Sequence, residues 1–235
     1  VALAQRPLPW AFASSIRNAT STEPNMEPRR DIQRSGRPLQ TCCPSSQRPQ
    51  RVSFCMCPAD RLLPPLQNRA ICAVNGGQSH ARDGRNAMPP CSLTSRLRTF
   101  PNDDPLAGIE LQRACEAAAY RLGGSNWNAP AQLVGDFLAG RASTAPGKVK
   151  PTYPLGVTWT AIDDALPQHI VESLRLGIPL LGKKLRGYDR PDAVLTGVET
   201  RSSSPVTVIR DRTCHAVSTP GLTLAARVPD MPAAS

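Results

Sequence analysis

A change of character near Pro101 constrains this chain more than any other feature. Residues 1–100 show no sustained period of 3.6 or 2, and short apolar runs such as 61–66 are broken by Pro64 and Pro65. A segment without a repeating apolar face has no obvious side to bury. The expectation for residues 1–100 is a largely irregular or disordered stretch. From Pro101 onward the local signals agree with one another, as they do in sequences that specify a fold.

Asp104 and Pro105 make a good helix start, an N-cap side chain followed by a proline whose missing N–H costs nothing there. Gly123 and Gly124 supply the stop. Between them Leu111, Cys115, Ala118 and Leu122 share one helical face, which predicts an amphipathic helix of about 18 residues. A second, shorter helix is expected over 130–138, closed by Gly140. A third is expected over 167–176, with Ile170, Val171 and Leu174 on one side and Gly177 as its end. The β-branched runs 193–198 and 206–209 read as strands around the turn 201–205.

Composition enters through charge. Residues 1–100 hold 14 Arg and no Lys against 5 acidic residues, whereas 101–235 hold 14 Lys and Arg against 13 acidic ones, so nearly all of the formal +10 lies in the first part. Basic surface attracts phosphate, which keeps open an Arg-rich module that binds nucleic acid or an acidic partner. The Arg residues are scattered among Pro, Ser and Cys instead of clustered, so nucleic acid is the less favoured partner. The 25 prolines and an aromatic share of 4% lean away from a closely packed globule. No apolar run reaches the roughly 20 residues of a membrane span. The 8 cysteines come without a secretory leader, and a reducing cytoplasmic compartment is the expectation.

No metal site is expected. Cys42, Cys43, Cys55 and Cys57 lack the CxxC spacing that lets two thiolates meet one tetrahedral ion. His169 falls on the third helix and His215 beside Cys214, and neither has a visible acid–base partner. Lys183, Lys184 and Arg186 form a small basic cluster that favours a helix C-terminus.

Three stretches carry a resemblance: NDDPLAGIELQ at 102–112, NAPAQLVGDFLAGRAST at 128–144 and DAVLTGVETRSSSPVTVIRD at 192–211. Their wording, order and spacing resemble a family of largely uncharacterised bacterial FAD-dependent dehydrogenases. The resemblance implies an α+β fragment of a two-domain α/β flavoprotein, in which residues 101–222 belong to a domain inserted next to a Rossmann-type FAD domain. In that family a glycine-rich GEGAGYAGG segment follows, and here the match ends after Leu222. Residues 225–235, read from each third base of their possible codons, permit GEGAGYAGGI. Parts of 7–18, 35–53, 58–65 and 87–100 permit family wording in the same way. The expectation is therefore frame-shifted text over much of 1–100, with in-frame islands at SFCMCP and near VNG and SHARDGRN, and a frame-shifted tail over 223–235.

The resemblance also implies site residues. Cys55 and Cys57, in the CMCP segment, are the catalytic candidates, because a thiolate near a flavin acts as a redox partner. The glycine pair that follows in the family is replaced here by Ala59 and Asp60. Thr200, Arg201, Ser202 and Ser203 form a polar turn that in the family faces the cleft for cofactor and substrate. Gly135, Asp136, Arg141, Ser143 and Thr144 also match, and the reading preferred for them is a helix stop with structural hydrogen bonds. The implied activity is FAD-dependent oxidation or reduction of an unknown small-molecule substrate. No GxGxxG follows a strand anywhere in the chain, so no cofactor-binding residue is expected in it, and the chain reads as an inactive fragment that does not itself hold FAD.

Overall fold

In a computed structural model of the chain the described residues are 3–5, 12–21, 39–43, 50–54, 60–63, 70–78, 86–87, 90–95, 107–184, 187–200, 206–208, 211–217 and 219–223. In chain order they form β1 Leu3–Gln5, β2 Phe12–Ser21, β3 Leu39–Cys43, β4 Gln50–Phe54, β5 Asp60–Leu63, β6 Asn75–Gln78, β7 Asn86–Ala87 and β8 Pro90–Ser95. There follow α1 Ala107–Leu122, β9 Ala129–Leu133, α2 Val134–Leu138, β10 Val157–Trp159, a 3-10 turn at Ile162–Ala165, α3 Gln168–Lys184, β11 Val194–Glu199 and β12 Val206–Val208. The result is a mixed α/β unit. An 8-stranded sheet runs β10-β9-β11-β2-β8-β4-β3, with β7 beside β2. β10 is parallel to β9, and β11 is antiparallel to both β9 and β2. Two small ladders, β1 with β12 and β5 with β6, stand outside it.

The expectation of an irregular 1–100 is corrected wherever strands are described there. β2 enters the main sheet between β11 and β8, and β3 and β4 extend it. The text FASSIRNATS has no alternation to betray it. Its place is set by ladders on both sides, Thr196 opposite Arg17 and Cys91 opposite Ile16. Backbone N–H and C=O groups need partners whatever side chains they carry, so a strand can be specified by its neighbours.

The helix expected over 130–138 is corrected to a strand followed by one short helix. Pro130 was read as a first helical residue, yet a proline also pushes the residue before it, here Ala129, toward extended backbone. β10 and β11 supply ladders on either side, Val157 opposite Ala129 and Leu195 opposite Gln132, and extended backbone wins. The third helix does not stop at Gly177. It runs through Gly177 and Pro179 to Lys184, because Ile178 and Leu181 prolong the face begun by Ile170, Val171 and Leu174, all of them fully buried. That face lies against β3, β8 and β4. Each such residue gains roughly 1.5–3 kcal/mol from burial, enough together to offset the bond that an interior proline removes. The last two sequence strands are β11 and β12, but β12 pairs with β1; the turn 201–205 between them lies outside the described residues.

α1 matches its sequence reading closely. Cys115 is buried, and Leu111, Ala118 and Leu122 pack on the core beside it; Asp104 and Pro105 lie outside the described residues. Its end is a Schellman motif. The Gly124 N–H bonds the Arg121 carbonyl at 3.0 Å and the Ser125 N–H bonds the Tyr120 carbonyl at 3.0 Å, with Gly124 at φ +96°. Among the described residues no helix is long and apolar enough to cross a membrane.

The two glycines are needed for different reasons, which predicts an order of damage. A Cβ on Gly124 meets nothing closer than 3.7 Å, so Gly124→Ala costs only the left-handed backbone, about 1–2 kcal/mol. A Cβ on Gly123 would lie 1.9 Å from the Asn128 carbonyl oxygen, a backbone atom that cannot swing aside. Gly123→Ala is therefore expected to lower the urea midpoint further than Gly124→Ala; the reverse order would contradict this packing.

Candidate functional site

A carboxylate is sealed into the unit where α1 crosses the end of β11. Glu116 is 1% exposed and Thr200 is 1% exposed. The Thr200 hydroxyl donates to Glu116 Oε1 at 2.6 Å, and the Gln112 amide, one helical turn back, donates to the same oxygen at 3.1 Å. The Glu116 backbone carbonyl accepts from the Cys72 N–H at 3.0 Å, and the Val74 N–H donates to the Val198 carbonyl at 2.9 Å. The segment 70–74 is thus stitched to both the helix and the strand.

Two thiols flank this carboxylate. Burial, with a smaller contribution from Glu116, pushes Cys115 up to about 11. Burial likewise pushes Cys72 up to about 11, although the Tyr153 hydroxyl hydrogen-bonded to its sulfur works in the opposite direction. Tyr153 is itself held above its ordinary value, first by burial and then by Cys72. Both thiols are protonated at neutral pH, and a protonated, buried thiol is neither nucleophile nor metal ligand. Among the described residues no group of His, Cys, Asp and Glu could hold a metal ion. The bonds of this junction tie the segment 70–74, α1 and the end of β11 together.

A second polar knot follows α2. Asp136 accepts from Ser143 Oγ at 2.6 Å through Oδ2 and from Arg141 Nε at 2.6 Å through Oδ1. The Ser143 bond, then Arg141, holds its carboxyl below the ordinary 3.8. Ser143 Oγ also accepts from the Leu133 N–H at 2.9 Å, so the turn is a structural stop between β9 and the loop that follows. Nearby, the Arg175 guanidinium bridges Asp163 and the Phe137 carbonyl, and lies 5.2 Å above the Phe137 ring. Burial outweighs Arg175 and raises the Asp163 carboxyl. Burial lowers His169, which leaves it neutral. His215 meets Thr223 Oγ1 at 3.2 Å.

A third feature is exposed. After the Schellman turn, Ser125 and Trp127 sit at φ 58° and 64°. A bulky side chain in left-handed backbone costs on the order of 1–3 kcal/mol and persists only where its surroundings hold it. The Tyr120 hydroxyl donates to the Ser125 carbonyl at 2.6 Å, the Asn128 N–H donates to Asn126 Oδ1 at 3.1 Å, and the Tyr120 and Trp127 rings meet edge to face at 5.6 Å.

Of the residues singled out in the sequence, Thr200 is placed, turned inward onto Glu116. Arg201, Ser202, Ser203, Cys55 and Cys57 lie outside the described residues, and so does Arg186. Lys183 and Lys184 close the last turn of α3. Glu116 was missed, although a charged residue between Cys115 and Ala119 on an apolar face was the available signal. Trp127 was also missed, and φ is not written in a sequence.

Neither Gly135 nor Gly182 offers a cradle for a flavin pyrophosphate. Such a site uses glycines to bring backbone close to the phosphates. Here the close approaches are to the chain itself: a Cβ on Gly135 would lie 3.1 Å from Pro191, and one on Gly182 would collide with the Asp189 carboxylate.

Residues 39–202 match the family described as FAD-dependent protein, C-terminal domain-like. A relative from Clostridium beijerinckii, named only as an uncharacterized protein, is 41% identical over 170 residues, which cover 72% of this chain and 32% of that protein. The chain belongs to this FAD-dependent family and spans about a third of the length of the curated relative it matches.

Two substitutions test the polar clusters. Thr200→Val removes a donor from a buried carboxylate, and the expected loss is about 1.5–3 kcal/mol in urea unfolding with an unchanged slope. A loss below about 0.5 kcal/mol would show that water or another donor replaces the hydroxyl. For Asp136 the folded value is depressed, so its stabilisation is complete above the ordinary 3.8 and is lost as pH falls through the depressed value. Ser143→Ala should therefore destabilise more at about pH 6 than at a pH below the depressed value of Asp136, where its charge no longer strengthens the Ser143 bond. A pH-independent difference would exclude this role for Asp136.

Proposed function

We propose that this chain forms the C-terminal-domain-like part of an FAD-dependent oxidoreductase, an α+β insertion beside a Rossmann-type flavin domain, and that it lines the substrate cleft without holding the flavin. The observation that carries the reading is the family match over residues 39–202, with the relative's further length as support. Gly135 and Gly182, which pack against Pro191 and the Asp189 side chain, favour a wall over a cradle. On this reading Thr200 to Ser203 line the cleft, and the Thr200–Glu116 bond holds the first of them. Cys55 and Cys57 are the thiols assigned to the flavin side of the cleft. The substrate is a small molecule, and its oxidation or reduction belongs to the complete flavoprotein.

Expression of the 235-residue chain and of the Clostridium beijerinckii relative tests this directly. The chain is expected to purify colourless and to give no saturable heat with FAD, while the relative purifies with flavin absorbance. A yellow chain overturns the division of labour, and a relative without affinity for FAD overturns the oxidoreductase reading.

A further inference from the structure

Four large apolar side chains are exposed among the described residues: Trp127, Leu155, Leu176 and Val217. Scattered singly, such residues need no explanation. Trp127 and Leu155 are not scattered. The Gly156 carbonyl accepts from the Ala129 N–H at 3.1 Å, and the Gly156 backbone lies against the Asn128 side chain. The loop that presents Trp127 and the turn that presents Leu155 are therefore pinned side by side. Leu155 leads directly into β10, the outer strand of the sheet, which pairs with β9 on one side and with no described strand on the other.

Three features thus meet at one corner: an apolar pair, a strand edge with no partner among the described residues and a strained loop whose bonds hold a tryptophan outward. Were Trp127 only covering the core, the loop would gain by relaxing toward ordinary backbone. It is instead fixed by the Tyr120–Ser125 and Asn128–Asn126 bonds, with Asn126 and Asn128 as a polar border. Aromatic centre and polar border are the usual make-up of a protein interface. Unpaired strand edges are places where another chain segment adds.

The occupant follows from length. In the Clostridium beijerinckii relative the matched stretch is 32% of the protein, so most of that chain is available to pack on this unit. We infer that the corner formed by Trp127, Leu155 and the outer edge of β10 is the face on which the flavin-binding remainder of the family protein docks. This rests on the proposed function for the occupant's identity.

Photochemical surface labelling, read by mass spectrometry of peptides, compares the 235-residue chain with the full-length relative. In the chain, Trp127 and Leu155 are expected to label freely. In the relative, the peptides aligned with 123–128 and 155–159 should label roughly tenfold less, as for side chains shut into an interface core, while the peptide aligned with Leu176 labels equally in both. Equal labelling of the corner in both proteins overturns the inference, as does protection in the isolated chain. Trp127→Ser in the chain should lower its unfolding midpoint only slightly, by the lost edge-to-face contact with Tyr120; a drop as large as that of Gly123→Ala would make Trp127 a core residue and also overturn it. Absence of flavin from the relative would refute the oxidoreductase reading alone, because protection is read without reference to flavin.

Discussion

The unit depends on a strand that has no side in water. Val194, Leu195 and Thr196 of β11 are fully buried, and both edges of the strand are hydrogen-bonded, to β9 and to β2. In that position every backbone group needs a partner in the protein, because an orphaned one costs about as much as a lost hydrogen bond. Thr196 therefore faces Ala131 on one side and Arg17 on the other, and a slip by one residue would reverse which side chains face each layer. The consequences spread outward. The Val134 N–H reaches back to the Ala193 carbonyl at 2.8 Å and starts α2 where β9 ends. Gln132, fully buried, donates to the Arg141 carbonyl at 2.7 Å and accepts from the Ile162 N–H at 2.9 Å, tying two loops to the same strand.

Glu116 shows what the end of such a strand requires. Its carboxylate lies away from water and is held by Thr200 and Gln112, an arrangement that contributes little net stability compared with an apolar replacement but penalises any docking of α1 that leaves it unpaired. Specificity of register is the gain. The neighbouring thiols fit that role: with Cys72 and Cys115 raised to about 11 they are neutral hydrophobes in the same core.

Local signals were legible in proportion to how local their cause is. α1 could be read because Leu111, Cys115, Ala118 and Leu122 repeat on one face and Gly124 ends it in left-handed backbone. β11 could be read because its β-branched run is buried on both faces. β9 was read as helix because Pro130 suits both a helix start and an extended pair, and only the partners 195 and 157 to 159 decide between them. The end of α3 was placed too early at Gly177 because the force carrying it past Pro179 is burial against strands far away in sequence. β2 left no trace in its side chains for the same reason. At the site, Thr200 was visible as part of a polar turn, whereas its partner Glu116 lies 84 residues away, and no spacing rule reaches that far.

The same need for partners decides what this unit offers a cofactor. A dinucleotide-binding helix leaves its first N–H groups free for phosphate. At α2 they are already used, Val134 by the Ala193 carbonyl and Gly135 by the Pro191 carbonyl at 3.1 Å. Opening them would unfasten β9 from the segment entering β11, and with it the register on which the sheet rests. These two backbone donors at the start of α2 are committed to the fold. Trp127 is held outward at one margin, and the Thr200 hydroxyl is turned inward onto Glu116 at another.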